Sequence, residues 1–250
     1  KGSYDKMIAE EVGVSEEEII AKDLFLVNRQ EGKIWGVEKE FISTPKLDDL
    51  ECAFTSMKAF ISSQNDKAIN VYACFDNEEV GSNTKQGAMS TFLYDTLKRI
   101  NNNLGYKEEE YFKAISKSYL VSCDNAHAVH PNHPEKTDDE NKTFMNGGIV
   151  IKEAANQKYT SDAFSQSIFK TIVSRAGVPY QHFANRSDIV GGSTLGNLSN
   201  TQVSVHAVDI GLAQLAMHSN YETGGAKDVY YAVKALEEFY NTNIRIDSAN

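Results

Sequence analysis

Apolar residues recur three and four positions apart in four stretches of the chain, a spacing that predicts amphipathic helices. These helices are predicted at 48–63, 84–101, 161–176 and 225–240. Short runs rich in β-branched and aromatic residues alternate with the helices and predict strands, because such residues favour a pleated, half-buried surface. The strands are predicted at 68–75, 119–123, 148–151 and 203–206. This alternation indicates one α/β domain in which helices cover both faces of a sheet.

The rest of the chain divides into a helical start, a short β region and one long loop. Ser15 followed by Glu18 forms a capping box, which predicts a helix over 5–22. Residues 24–43 are predicted to form short strands. Residues 130–146 are rich in Pro, Asn and Gly, which predicts a loop.

Charge and composition exclude several classes of protein. The 250 residues carry a formal net charge of -10, and their Lys and Arg residues are dispersed rather than gathered in a basic block, unlike those of a nucleic-acid binder. No apolar run approaches the roughly 18 to 20 residues of a membrane span, and the polar start does not resemble a signal peptide. We therefore expect a cytosolic protein without nucleic-acid or membrane partners. Cys52, Cys74 and Cys123 lack CxxC spacing and are predicted to be reduced core residues.

Acidic residues follow two of the predicted strands, at the strand ends where open α/β sheets build their ligand crevices. Strand 68–75 runs into Glu78 and Glu79, and strand 119–123 runs into Asp124. Neighbouring carboxylates repel each other unless a proton or cation lies between them, so a metal ion is one explanation for the Glu pair. A solvated turn is the alternative for that pair taken alone.

Further candidate ligands lie elsewhere in the chain. Asp48 and Asp49 precede a predicted helix, where either residue could instead be its N-cap. His218 follows an apolar stretch, where a lone histidine is more often a satisfied core residue. Together the candidates supply carboxylates and an imidazole but no thiolate, which is the ligand mix of a hydrolytic zinc, manganese or cobalt site.

These candidates lie within four longer motifs. The motifs are PKLD at 45–48, DNEEVGS at 76–82, DNAHAVHPN at 124–132 and QLAMHS at 214–219. In order and spacing, over nearly the whole chain, the sequence resembles the aspartyl aminopeptidases, two-metal peptidases that remove N-terminal Asp or Glu from peptides. The resemblance implies a zinc-exopeptidase-like fold, a three-layer α/β/α sandwich with a central mixed, mostly parallel sheet.

The resemblance also implies a role for each candidate. Asp48 is expected to bridge two divalent metal ions, Glu79 to bind one of them, and Asp124 and His218 to complete the coordination. Zinc is the expected metal, with manganese or cobalt as alternatives. Glu78, next to a ligand but not one itself, is expected to take the proton of the attacking water and pass it to the leaving amine.

Residues that contact the peptide substrate are implied as well. They are Glu78, Asp124, His127, Lys152 and Tyr159. Lys152 could pair with an acidic substrate side chain, although without the resemblance a surface lysine is the simpler interpretation. The glycine-rich run at 191–196 lacks the Gly-Lys-Ser ending of a P-loop and is interpreted as a close wall of the active site.

The chain departs from the family pattern on its N-terminal side. The pattern has a further metal-binding histidine upstream, whereas the first histidine here is His127. Residues 1–40 resemble the end of an inserted dimerisation domain and its linker, and 41–250 a catalytic domain that is incomplete on its N-terminal side. The resemblance implies closed homo-oligomers, expected as multiples of dimers in the full-length protein. Two alternatives stay open: a non-catalytic or single-metal fragment, and a related two-metal exopeptidase with another side-chain preference.

Overall fold

The computed structural model describes residues 3–246, which contain two β-sheets and seven α-helices. The helices are α1 (Ser3–Val12), α2 (Leu47–Ser62), α3 (Phe92–Asn103), α4 (Glu108–Ser116), α5 (Ala163–Arg175), α6 (Leu195–Ser199) and α7 (Ala226–Asn241). The strands are β1 (Lys33–Trp35), β2 (Phe41–Thr44), β3 (Tyr119–Cys123), β4 (Ala126–His127), β5 (Ile149–Glu153), β6 (Tyr180–Ala184), β7 (His206–Gly211), β8 (Ala213–Leu215) and β9 (Glu222–Gly225). Short 3-10 helices occur at Glu16–Glu18, Glu78–Val80 and Pro134–Lys136.

Both sheets are mixed. The first has the order β1-β2-β9-β8-β4 and is antiparallel except for the β4–β8 pair. The second has the order β3-β7-β5-β6, in which β3 runs parallel to β7 and β5 to β6, whereas β5 and β7 are antiparallel. Helices α5 and α7 pack on one face of the second sheet, and α6 packs on the other. The arrangement confirms the predicted α/β class.

Strand β5 is buried on both faces. Neighbouring side chains of a strand point in opposite directions, and each face of β5 is covered by a different apolar cluster. Ile149 and Ile151 pack against Phe169 of α5 and the apolar side of α7. Val150 points to the other face, where it joins a second apolar cluster. The next residue on this face, Lys152, is therefore only 2% exposed. It is not the surface lysine of the simpler interpretation.

Five predicted elements agree with the structure to within two residues at each end. They are α2, α5, α7, β3 and β5. The predicted loop at 130–146 contains only the 3-10 turn Pro134–Lys136. The β region predicted at 24–43 contains β1 and β2, whereas residues 24–32 form no strand.

The helix predicted over 5–22 is too long. The observed helix ends at Val12 because Gly13 follows with φ +74°, a left-handed conformation that terminates helices. The capping box is present, since the carboxylate of Glu18 accepts a hydrogen bond from the backbone N–H of Ser15 at 2.8 Å. It opens only one 3-10 turn.

Two other predicted elements start in the wrong place. The helix predicted at 84–101 begins only at Phe92. Before it, Gly87 passes so close to Ser82 that an added Cβ would lie 2.3 Å from the Ser82 carbonyl oxygen, and this approach shapes a turn. The strand predicted at 203–206 begins at His206 and continues to Gly211.

The strand predicted at 68–75 is wrong. Within the described part of the chain this segment pairs with no strand, and Ile69 remains 65% exposed. Cys74 is exposed for the same reason, so the prediction that all three cysteines lie in the core is wrong for this one. Cys52 is buried and Cys123 half-buried.

Helix α2 buries one face and exposes the other. The side chains of Cys52, Thr55 and Ala59 are fully buried. An apolar stripe on the opposite face is exposed, formed by Leu50, Phe54, Met57 and Ile61. Among the described residues, no helix combines the length and the apolar character that a membrane crossing requires.

Candidate functional site

Three predicted ligands from distant parts of the chain meet in one group. Asp48 lies at the start of α2, Glu79 in a 3-10 turn and His218 in the loop after β8. The His218 Nε2 atom lies 3.1 Å from Asp48 Oδ2 and 2.8 Å from Glu79 Oε2. The His218 side chain is 65% exposed, so it is not a core histidine. Glu79 faces this group rather than forming a bare solvated turn.

A second group of possible ligands shares Asp48 with the first. It consists of Asp48, Asp49 and Asp124, whose carboxylate oxygens lie within 4.8 Å of one another. Asp48 and Asp49 have non-helical backbone angles within the bounds of α2, so the regular part of this helix begins after them. Two adjacent three-residue groups that share one carboxylate have the layout of a two-cation site.

The carboxylates of this cluster are held in an environment that disfavours their charge. Burial, followed by the negative charges of Asp124 and Glu79, raises the pKa of Asp48 to about 9. Burial, together with Asp124, also raises the pKa of Asp49 well above its ordinary value. One buried oxygen of Asp48 and one of Asp49 lack a hydrogen-bond donor. Buried acceptors without donors and crowded negative charge both fit a divalent cation, which would satisfy the oxygens and offset the repulsion.

Glu78 lies beside both groups without belonging to either. Its side chain is half-buried, and burial, followed by the charges of Asp124 and Glu79, raises its pKa to about 7, while Lys152 opposes the shift. A carboxylate with a pKa near neutrality is suited to accept and release a proton at physiological pH. The raised pKa and the position next to Glu79 are compatible with the role predicted for Glu78.

Lys152 is bound to the predicted ligand Asp124. Its ammonium lies 3.1 Å from Asp124 Oδ2 and donates to the Asn125 carbonyl oxygen at 2.8 Å. The same ammonium lies 5.4 Å from the centroid of the Tyr159 ring, within the range of a cation–π contact. Tyr159 in turn accepts a hydrogen bond at its hydroxyl from Asn185. Lys152 and Tyr159 thus adjoin the acidic cluster, and the substrate contact predicted for each stays a prediction.

His127 and the glycine-rich run complete the surroundings. His127 lies at the end of β4, and partial desolvation of its ring, followed by the nearby charges of Lys152 and His218, lowers its pKa. The glycine-rich run at 191–196 is tied to the loop that carries Tyr159, since Lys158 Nζ donates to the Gly191 carbonyl oxygen at 2.7 Å. Both features border the side of the cluster where Lys152 lies.

The position of Asp124 depends on close contact between two strand ends. The Asp124 N–H donates to the Ile210 carbonyl oxygen of β7 at 3.0 Å. At Gly211, an added Cβ would lie 2.0 Å from the Asp124 carbonyl oxygen, so only glycine permits this approach. Strand β3 therefore delivers Asp124 to the cluster at a point fixed by β7.

Sequence reasoning assigned no role in the metal site to three polar residues around the cluster. Asp49 belongs to the second group of possible ligands, although only Asp48 was assigned to the metal site. Asn125 donates to Glu51 Oε2 at 3.2 Å and accepts from the Cys52 thiol at 3.1 Å, both in the interior. Glu222 binds the backbone of two predicted ligands. The doubled Asp at 48–49 was a usable signal for Asp49, whereas Asn125 and Glu222 act through contacts that no local pattern shows.

Comparison with known proteins is consistent with these observations. The family model of aminopeptidase I zinc metalloproteases (M18) matches residues 1–240. A probable M18 family aminopeptidase 2 from Clostridium novyi is 50% identical over 94% of this chain and 54% of its own length. A probable aspartyl aminopeptidase from Ricinus communis is 37% identical over 97% of this chain and 51% of its own length. The chain thus spans about half the length of the curated relatives it matches.

Solved structures show the same fold. The Ape4 chain of an Ape4–Nbr1 complex is 33% identical, with a TM-score of 0.86 over 98% of this chain and 50% of the other. An M18 aminopeptidase from Thermotoga maritima is 25% identical, with a TM-score of 0.86 over 94% of this chain and 54% of the other. The mApe1 dodecamer of S. cerevisiae is 29% identical, with a TM-score of 0.77 over 95% and 54%. The chain belongs to the M18 family of aminopeptidase I zinc metalloproteases.

Proposed function

We propose that the protein to which this chain belongs is a metallo-aminopeptidase that removes N-terminal Asp or Glu from peptides with the help of two divalent ions, zinc in the first place. The observation that carries the proposal is the pair of ligand groups that share Asp48, with the half-buried carboxylate of Glu78 beside them. Zinc is supported by the family description, and manganese or cobalt would suit the same ligands.

The residues that would hold the two ions are those of the two groups. Asp48 would bridge the ions, Glu79 and His218 would hold one, and Asp124 the other, with Asp49 close to the second. The chemistry that divalent ions supply in such a site is acidification of water and polarisation of the scissile carbonyl. The family pattern predicts a further histidine ligand, and the second group contains no histidine among the described residues.

The remaining residues would move protons and orient groups. A carboxylate oxygen of Glu78 takes a proton from the attacking water and then gives it to the leaving amine. Lys152 holds the Asp124 carboxylate in place through its 3.1 Å contact. His127 and Tyr159 line the same side, where they can donate to the substrate.

Preference for acidic N-terminal residues is supported by the names of two relatives and by one positive charge beside the cluster. Relatives from Ricinus communis and Caenorhabditis elegans carry the name aspartyl aminopeptidase. The ammonium of Lys152 adjoins the cluster, and its positive charge would favour a substrate carboxylate nearby. Rates on aspartyl, glutamyl and leucyl anilides test the preference. A leucyl anilide cleaved as fast as the acidic ones would favour the alternative exopeptidase with another side-chain preference.

Glu78→Gln in the full-length protein tests the proposed base. We expect kcat/KM to fall by about 10²- to 10⁴-fold while metal content is unchanged, because Gln cannot accept the proton. Glu109→Gln, on the exposed side of α4, is the matched control and should retain full activity. Near-normal turnover of the Glu78 variant would remove this residue from the mechanism.

Metal content distinguishes the two-ion site from the single-metal fragment. A two-ion site requires two ions per chain in the full-length protein, measured by elemental analysis after dialysis. One ion or none, together with no peptidase activity, would favour the non-catalytic alternative. Because the neighbour mApe1 forms a dodecamer, we also propose a closed homo-oligomer, and we propose the cytosol as its location.

A further inference from the structure

We propose that Glu222 is the positioning residue of the candidate metal centre, a buried carboxylate that holds the backbone of Asp48 and of His218 so that their side chains converge. The inference rests on the proposed metal site but goes beyond the assignment of its ligands. Glu222 begins β9 and is 2% exposed. It is too deep to be a ligand on the open side of the cluster, and it belongs to neither ligand group.

The two oxygens of Glu222 divide the task between them. Oε2 accepts a hydrogen bond from the Asp48 N–H at 2.9 Å, and Oε1 accepts one from the His218 N–H at 2.7 Å. One carboxylate therefore joins the start of α2 to the loop after β8, two segments that are remote in sequence. Backbone N–H groups that bind a buried carboxylate form strong, directional hydrogen bonds.

Neither of the two N–H groups lies in a segment that regular structure would fix. Asp48 has non-helical backbone angles, φ -84° and ψ 111°, although it lies within the bounds of α2. His218 has φ 66°, in the left-handed region that favours glycine, and so does Ala216 two residues earlier, with φ 60°. A non-glycine residue keeps such a conformation only where its surroundings impose it. Glu222 constrains the backbone of Asp48 and that of His218 through one hydrogen bond to each.

The side chains of Asp48 and His218 converge because Glu222 holds both backbones; we call this pair of hydrogen bonds the Glu222 clamp. With both backbones fixed to one carboxylate, His218 Nε2 and Asp48 Oδ2 lie 3.1 Å apart, and Glu79 joins them through the same imidazole nitrogen. Glutamine at 222 would keep one acceptor oxygen, but its NH₂ group would face a backbone N–H as a second donor. One of the two ligand backbones would then be released.

The test measures the affinity of the metal-free, full-length protein for Zn²⁺ by competition with a chromophoric chelator. For Glu222→Gln we expect the dissociation constant of the ion held by Asp48 and His218 to rise by about 10- to 100-fold, the usual effect of losing a residue that orients metal ligands. The visible spectrum of bound Co²⁺ should change as well, because it reports the coordination geometry.

The matched control is Asp228→Asn. Asp228 is also a fully buried carboxylate that accepts two backbone N–H groups, those of Asn146 and Gly148, but it touches no predicted ligand. Thermal unfolding of both metal-free variants shows the purely structural cost of each change. We expect Asp228→Asn to lose stability and to leave the Zn²⁺ affinity and the Co²⁺ spectrum unchanged.

The possible results distinguish failure of the role of Glu222 from failure of the metal site itself. Wild-type affinity and spectrum in Glu222→Gln, or an equal loss of affinity in Asp228→Asn, would overturn the role of Glu222 while leaving the metal site intact. A wild-type protein that binds no divalent ion would overturn the proposed function itself. If Glu222→Gln does not fold, Glu222→Asp replaces it. Aspartate keeps both acceptors on a shorter side chain and should weaken Zn²⁺ binding, and unchanged binding would again refute the clamp.

Discussion

Replacing Glu51 by glutamine should stabilise the protein, and more so at neutral than at acidic pH. Glu51 is 6% exposed, its Oε2 accepts a hydrogen bond from Asn125 at 3.2 Å, and its Oε1 has no partner. Burial raises its pKa from 4.5 to about 8, against the opposing effect of the Asn125 hydrogen bond. Glutamine keeps the accepted bond and has no charge to bury.

The sign follows from the direction of the pKa shift. Because the pKa of Glu51 is higher in the folded than in the unfolded state, folding takes up a proton, and the associated stability is complete below pH 4.5 and is lost as the pH rises through about 8. Each pH unit in that window costs about 1.4 kcal/mol. The penalty is therefore about 3 kcal/mol at pH 7 and about 1 kcal/mol at pH 5.

Urea unfolding of the metal-free protein measures this difference directly. The gain in unfolding free energy of Glu51→Gln over wild type should be about 2 to 3 kcal/mol larger at pH 7 than at pH 5. Asp48 and Asp49 titrate in both proteins, so their contributions cancel. Exposed Glu109→Gln should show no such pH dependence. A gain for Glu51→Gln that is equal at the two pH values would refute the reasoning.

Two more predictions concern the base and the core. If Glu78 is the base, kcat/KM should fall as the pH drops through the pKa of Glu78, which burial and the neighbouring carboxylates raise to about 7 in the protein without bound cations. A flat profile from pH 8 to pH 4.5 would contradict this. Phe169→Ala should lower the unfolding free energy by about 3 to 5 kcal/mol, because the ring is fully buried between α5 and β5. A loss below 1 kcal/mol in urea unfolding would show that the site collapses or hydrates.

The elements that were predicted correctly each have a pattern of apolar residues within their own sequence. Helices α2, α5 and α7 have buried positions three and four apart, and β3 and β5 each contain a short apolar run, Leu120–Val121 in β3 and Ile149–Ile151 in β5. Strand β6 was missed because Tyr180–Ala184 mixes polar and aromatic residues and contains no such apolar run. Helix α4 was missed as well, since Tyr111 is its one buried residue. An element can be predicted from sequence only where its apolar residues form a regular spacing or a continuous run.

The segment 68–75 failed for the opposite reason. Its apolar run has the composition of a strand, but a strand also needs a neighbour that supplies hydrogen bonds, and within residues 3–246 none lies alongside. The exposed apolar stripe of α2, which includes Phe54 and Ile61, is likewise a pattern without a packing partner in this span. Local composition could not show that segment 68–75 and the apolar stripe of α2 would both lack a packing partner.

The candidate site was predictable as far as its residue types, but not in its support. Asp48, Glu79, Asp124 and His218 follow from motifs, and the structure brings them into two adjoining groups. Glu222 could not be predicted, because its importance comes from two backbone N–H groups, one of them 174 positions away in the chain. Interactions between a side chain and a remote backbone leave no periodic signal in sequence.

The buried carboxylate of Asp209 has a consequence for motion. It accepts hydrogen bonds from the backbone and hydroxyl of Thr160 and from the hydroxyl of Thr194, so the loop next to Tyr159 and the end of the glycine-rich run are fastened to the same strand, β7. The two segments are thereby coupled through Asp209, and we expect them to move together rather than one at a time. Slow hydrogen exchange at the Thr160 amide would then report on the rigidity of both.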